Sequence, residues 1–153
     1  MSWDPEATAR LEGFIAKFSD EVAASAHAAL TRMRELMPGA VSLVYDNYNA
    51  LAVGFGANDK QAGIVFSIAV YPRWVSLFFM GGPALNDPCG LLKGEGSRVR
   101  HIVLTSQSVL DDPEVRDLIN QAMARAAIAI DPTKPARLII QSISAKQKPR
   151  RPA

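Results

Sequence analysis

Four side chains that can carry positive charge, Lys93, Arg98, Arg100 and His101, fall within one short stretch beside Gly94-Glu95-Gly96. That grouping suits an anion. Glycine lets a backbone N–H approach an oxyanion closely, and arginine offers a planar fork matched to carboxylate or phosphate. The same residues also admit a structural reading, in which Arg98 and Arg100, two apart on a strand, pair with surface carboxylates while the glycines turn the chain. A second polar cluster, Tyr45-Asp46-Asn47-Tyr48-Asn49, ends a strand-like run, a position where rigid scaffolds often carry sites. Asp46 suits a ligand amine or hydroxyl there, whereas the asparagines equally suit a tight turn. Joined in one concavity, Tyr45, Asp46, Asn49, Lys93, Arg98, Arg100 and His101 form the expected ligand-binding set.

Other chemistry is thinly represented. Gly81-Gly82-Pro83, Pro88-Cys89-Gly90 and Gly94-Glu95-Gly96 match none of the patterns that hold nucleotides, metals or activated nucleophiles. Cys89 and His101 could pair as thiol and base, which defines a small-enzyme alternative, but spacing supplies no third residue to orient them. His27 stands among alanines on a helical stretch, where bonding to a carbonyl is the usual arrangement. No catalytic residue, cofactor or metal is therefore assigned.

The elements that must position these groups follow from periodicity. Asp4-Pro5, Ser19-Asp20-Glu21 and Asp111-Asp112-Pro113-Glu114 each place a capping acceptor or proline where a helix begins. Leu11, Phe14, Ile15 and Phe18 recur at helical spacing, as do Val22, Ala26, Ala29, Leu30 and Met33, until Pro38-Gly39 stops the run. From Val41 the period shifts toward two. Strands are expected at 41–45, 50–55, 62–71, 74–80 and 100–105, with a hairpin about Pro72-Arg73, then a helix over 112–130 and a short strand around Leu138-Ile139-Ile140. The fold class is α+β: a mostly antiparallel sheet of five to six strands, packed by the N-terminal helices and one C-terminal helix. Ile64, Phe66, Ile68 and Val70 alternate with Val65, Ala69 and Tyr71, so both faces of one strand are apolar. Something should cover the second face, and a homodimer through Trp74–Phe79 is the expected cover.

The chain of 153 residues, 48% hydrophobic and 21% charged, fits a single globular domain. Lys146, Lys148, Arg150 and Arg151 exceed the whole net charge of +2, which leaves the rest slightly acidic. Residues 1–144 read as the domain and 145–153 as a solvated, disordered basic tail. No nucleic-acid partner is expected, since a basic stripe on the folded face is missing. One cysteine fits a reducing compartment, and neither a leader nor a membrane-length apolar run is visible, so a cytoplasmic location is expected.

Several patches also carry a resemblance. Leu11 to Phe18, Met37-Pro38-Gly39-Ala40, Val44-Tyr45, Ile68-Ala69-Val70-Tyr71-Pro72, Leu92-Lys93-Gly94 and Val99-Arg100-His101-Ile102 occur in an order that resembles the YdhG-like domain-of-unknown-function family. The likeness implies a small cytosolic α+β domain, and one relative is described as a frataxin-like iron chaperone. It therefore carries an iron-binding alternative, in which helix carboxylates hold the ion. Here Asp4, Glu6, Glu12, Asp20, Glu21 and Glu35 are spread out, and the one adjacent pair, Asp20-Glu21, points about 100° apart on a helix.

Overall fold

The computed structural model describes residues 3–152. Met1-Ser2, at the start of the segment read as lacking a leader, and Ala153, at the end of the tail, lie outside them. Each helix starts at the expected cap. The Asp4 carboxylate accepts from the Ala7 N–H at 2.9 Å to open α1 (Pro5–Ile15). Ser19 accepts from Val22 N–H to open α2 (Asp20–Leu36), and Asp112 accepts from Glu114 N–H to open α3 (Pro113–Arg125). These caps satisfy donors that have no partner within the helix.

The strands are β1 (Val41–Asp46), β2 (Leu51–Gly56), β3 (Ile64–Val70), β4 (Val75–Phe79), β5 (Arg100–Val103) and β6 (Arg137–Ile143). They form one six-stranded sheet in the order β5-β4-β3-β2-β1-β6. Every pairing is antiparallel except β1 with β6, which is parallel, so the fold is α+β with a mixed, mostly antiparallel sheet. The Tyr71 N–H bonds to the Trp74 carbonyl, closing the expected hairpin about Pro72-Arg73.

All three helices contribute to a single core on one sheet face. Leu11, Ile15, Leu30, Met33, Leu118 and Ile119 meet Val44, Val53, Ile68 and Leu77 there. Phe55, Phe66 and Phe79 align across three neighbouring strands, the latter two edge to face at 5.5 Å. No helix covers the other face among the described residues. Its centre is built from Ala52, Gly54, Ser67, Ala69 and Ser76, small enough that their neighbours shelter much of it. The two-sided apolarity of β3 thus reflects partly a floor of small residues. Of the proposed dimer anchors, Leu77 and Phe79 are buried in the helix-side core, while Trp74 is 44% exposed.

Two expectations about the C-terminal third differ from the structure. α3 ends at Arg125 rather than at residue 130, and 126–136 run as an irregular crossing to β6. That crossing packs against the α2–β1 junction: Gly39, at φ 84°, leaves no room for a Cβ beside the Asp131 carbonyl. The tail residues up to Arg150 are also held against the domain. Ser144 and Lys148 N–H groups bond to the Asp46 and Tyr48 carbonyls, and Arg150 is buried at 5% exposure. Its Nη2 donates to Asp46 Oδ1 at 2.9 Å and to the Asn47 carbonyl, and its guanidinium lies 5.7 Å from the Phe18 ring centroid. Asp46, the buried partner at 1% exposure, explains why one arginine of a basic tail enters the core. A buried carboxylate without a partner costs several kcal/mol.

Removing one member of that pair strands the other. Arg150→Met is expected to cost about 3–5 kcal/mol, and Asp46→Asn in the same background to cost much less than it does alone. Urea unfolding of both single variants and the double variant measures this. A loss below about 1 kcal/mol for Arg150→Met would equate the pair with an exposed one.

Candidate functional site

The expected ligand-binding residues do not share a concavity. β1 and β5 lie four strand positions apart, about 19 Å at ordinary strand spacing. They are also displaced along the strands: the row through Asp46 continues to Leu51, Val70 and Val75, whereas the row through Arg100 continues to Phe79, Phe66 and Phe55. The two clusters sit at diagonal corners of the sheet.

Each corner has a local structural explanation. Tyr45 is half-buried on the helix-free face, Asp46 is committed to Arg150, and Asn49 is exposed in the β1–β2 turn. At the other corner, Arg100 Nη1 donates to the Gly96 and Val99 carbonyls and so closes its own loop. Lys93 and His101 exchange two backbone hydrogen bonds, and the His101 ring stacks on Phe78 at 5.2 Å. Arg98 and Lys93 project into solvent. Gly94, at φ 108°, turns the chain back to make that bridge. The glycines serve the turn.

Cys89 is exposed in a recess of about 230 Å³ lined by Asp87, Pro113, Glu114 and Asp117, and no basic side chain lines it. His101 is therefore not poised beside the thiol. His27 pairs with Glu12 at 2.7 Å, linking α2 to α1. Asp20 and Glu21 are exposed on the first turn of α2. Among the described residues no three His, Cys, Asp or Glu side chains converge on a point that would hold a metal.

A different group does converge. Where α2 stops and the chain passes through Gly39 into β1, a cavity of about 380 Å³ opens against the crossing segment, with Phe55 and Ser42 in its lining. Arg34, on the last turn of α2, lays its guanidinium 3.6 Å from the centroid of the Trp3 ring. Stacking on an indole holds the fork in one plane, and the attraction strengthens where water is excluded. Arg34 Nε and Trp3 Nε1 are both buried without a hydrogen-bond partner. Burial also lowers the Arg34 pKa from its ordinary value, because the charged form loses hydration.

Among the described residues the charge has no counter-ion. Glu35 lines the same cavity but pairs with Arg32 at 3.5 Å, and Arg32 pairs with Asp111 at 2.7 Å. Among the described residues Arg34 enters no ion pair. Lys134 and Thr31 add further donors to the lining, whereas the N–H and hydroxyl of Thr133 both donate to Asp131 Oδ1. The lining is thus rich in donors, and its one carboxylate is already paired, a balance that favours an anionic guest.

Sequence reasoning passed over this site. Arg34 follows Met33 at the edge of the apolar stripe of α2, and Trp3 precedes a cap, so each reads as ordinary alone. The crossing that brings Lys134 to them joins positions about a hundred residues apart, beyond the reach of any local pattern. No family model, curated protein or solved structure matches the chain.

Burial raises the pKa of Tyr45 and of Tyr71 above the ordinary 10.0. In the unfolded chain these phenols ionise first, so stability is full below pH 10 and falls as pH rises through the folded values. Absorbance titration of tyrosinate in Tyr45→Phe and Tyr71→Phe is expected to lose late-ionising amplitude in each. An unchanged titration curve would show that neither phenol is sheltered.

Proposed function

We propose that this protein is a non-enzymatic binding module of the YdhG-like kind, and that its ligand is a small anion bearing a carboxylate or phosphate group. The ligand seat is the cavity between α2, β1 and the crossing segment. One observation carries this reading: the Arg34 guanidinium lies on Trp3 and has no anionic partner among the described residues. A fork held flat before the ligand arrives loses little further freedom on binding, so more of the charge-assisted hydrogen-bond energy remains as affinity. Lys134 supports a second charge on the guest, since it lines the same cavity. A volume near 380 Å³ falls within the range of small-molecule sites.

Phosphate, pyrophosphate and citrate are suitable probes. Binding to the folded state alone at a hundredfold excess over Kd adds about 2.7 kcal/mol, which raises Tm by several degrees in a domain of this size. The expected upshift with at least one probe vanishes in Arg34→Gln and shrinks in Lys134→Gln. In a Trp74→Phe background, the Trp3 fluorescence should change on addition of the same probe. Absence of any upshift, or one that survives Arg34→Gln, counts against the reading.

Self-association belongs to the same proposal. Trp74 stacks on Tyr71 at 4.8 Å on the helix-free sheet face, where Val103 is also exposed. An exposed aromatic pair on an uncovered sheet supports pairing of that face with a second copy. Light scattering is expected to give twice the chain mass at high concentration and a monomer for Trp74→Glu. A monomer throughout for the unaltered protein removes the dimer.

A further inference from the structure

At the same end of the sheet, but on the far side of the crossing segment, lies a second cavity of about 440 Å³. It is bounded by the β2–β3 connection, the end of β4 and the C-terminal turn of α3. Ile64, Val65, Met80, Leu85 and Ala122 supply an apolar wall, and Ile128 stands at the lip at 56% exposure. A side chain added at Gly81 would meet no atom within 4 Å, and Gly81 has φ −109°, a conformation open to any residue.

Two cations complete the lining. Lys60 precedes the short turn into β3, and Arg125 ends α3. Among the described residues neither forms an ion pair. Among the described residues no carboxylate lines this cavity, so both charges are available to a guest. An apolar channel with cations at its rim has the chemistry of a site for a molecule that is hydrocarbon at one end and anionic at the other. Burying hydrocarbon supplies the affinity, about 0.8 kcal/mol per CH₂, and the charged rim fixes the orientation.

We propose that this trough is a second, separate site for a small aliphatic carboxylate, whose chain lies along Ile64, Met80 and Leu85 and whose carboxylate is held by Lys60 and Arg125. The site is independent of the Arg34 cavity. The two share the crossing segment, which lines this trough with Ala126 and Ile128 and the other with Pro132 and Lys134.

The experiment uses the intact chain with hexanoate, octanoate and decanoate, and octanol as the uncharged control, read by amide chemical-shift changes. Affinity should rise about tenfold or more with each two-carbon extension that stays buried, and the shifts should centre on Ile64, Gly81 and Ala126. Lys60→Gln with Arg125→Gln should weaken octanoate at least tenfold and leave octanol unaffected. Gly81→Leu fills the trough without backbone strain and should abolish both, its fold checked by an otherwise unaltered spectrum. Arg34→Gln, which disables the first cavity, should leave octanoate binding intact. No binding by the intact chain, octanoate affinity unchanged by Gly81→Leu, or loss of octanoate binding in Arg34→Gln each overturns the assignment.

Discussion

The crossing from α3 to β6 is the constraint on which the rest of this architecture depends. α3 packs beside the loop that follows β4, yet β6 must lie next to β1 at the opposite edge of the sheet. The connecting chain therefore passes over the end of the sheet where Phe55, Phe66 and Phe79 align. A helix rises only about 1.5 Å per residue, so irregular, more extended backbone spans the gap with fewer residues. This accounts for the early end of α3 at Arg125 and for the close approach at Gly39. A segment stretched in that way cannot fill the space on both its sides. The two cavities are what it leaves.

Polar groups in this protein are settled in two contrasting ways. Around the β1–β2 turn the charges are matched from within: Asp46 has Arg150 and Lys17, and the turn carbonyls of Asn47 and Tyr48 accept from Arg150, although Asp46 Oδ2 and Arg150 Nε are left without a hydrogen bond. Along the crossing segment the opposite holds, with Arg34, Lys60 and Arg125 left without counter-charges among the described residues. A buried pair that completes itself is costly to break and leaves no charge for a ligand. Cations arranged around hollows, with apolar or aromatic surfaces beside them, are better explained by something that arrives from outside.

What the sequence disclosed was local. Asp4, Ser19 and Asp112 could be recognised as caps because capping is decided within three or four residues, and the hairpin at Pro72-Arg73 follows from two apolar runs flanking a turn. The α+β class and the mostly antiparallel sheet follow from the order of such elements. Charge was read less well. Arg100 and Asp46 were singled out as ligand groups because their types are versatile, and both turned out to serve internal contacts. Nothing near Asp46 in sequence announces Arg150, and nothing near Arg34 announces Lys134. Long-range pairing decides which charges are free, and local periodicity carries no record of it.

The Asp46–Arg150 contact has a temporal side as well. Its members are separated by 104 positions, so the carboxylate is synthesised well before the guanidinium that neutralises it. At about 5–20 residues per second, translation leaves Asp46 waiting roughly 5–20 seconds for its counter-charge. Throughout that interval Lys17, 3.6 Å from Asp46 Oδ2, is the counter-charge already made, and water must supply the rest of the carboxylate's solvation. Closure of the β1–β2 corner therefore waits until Arg150 itself has emerged from the ribosome.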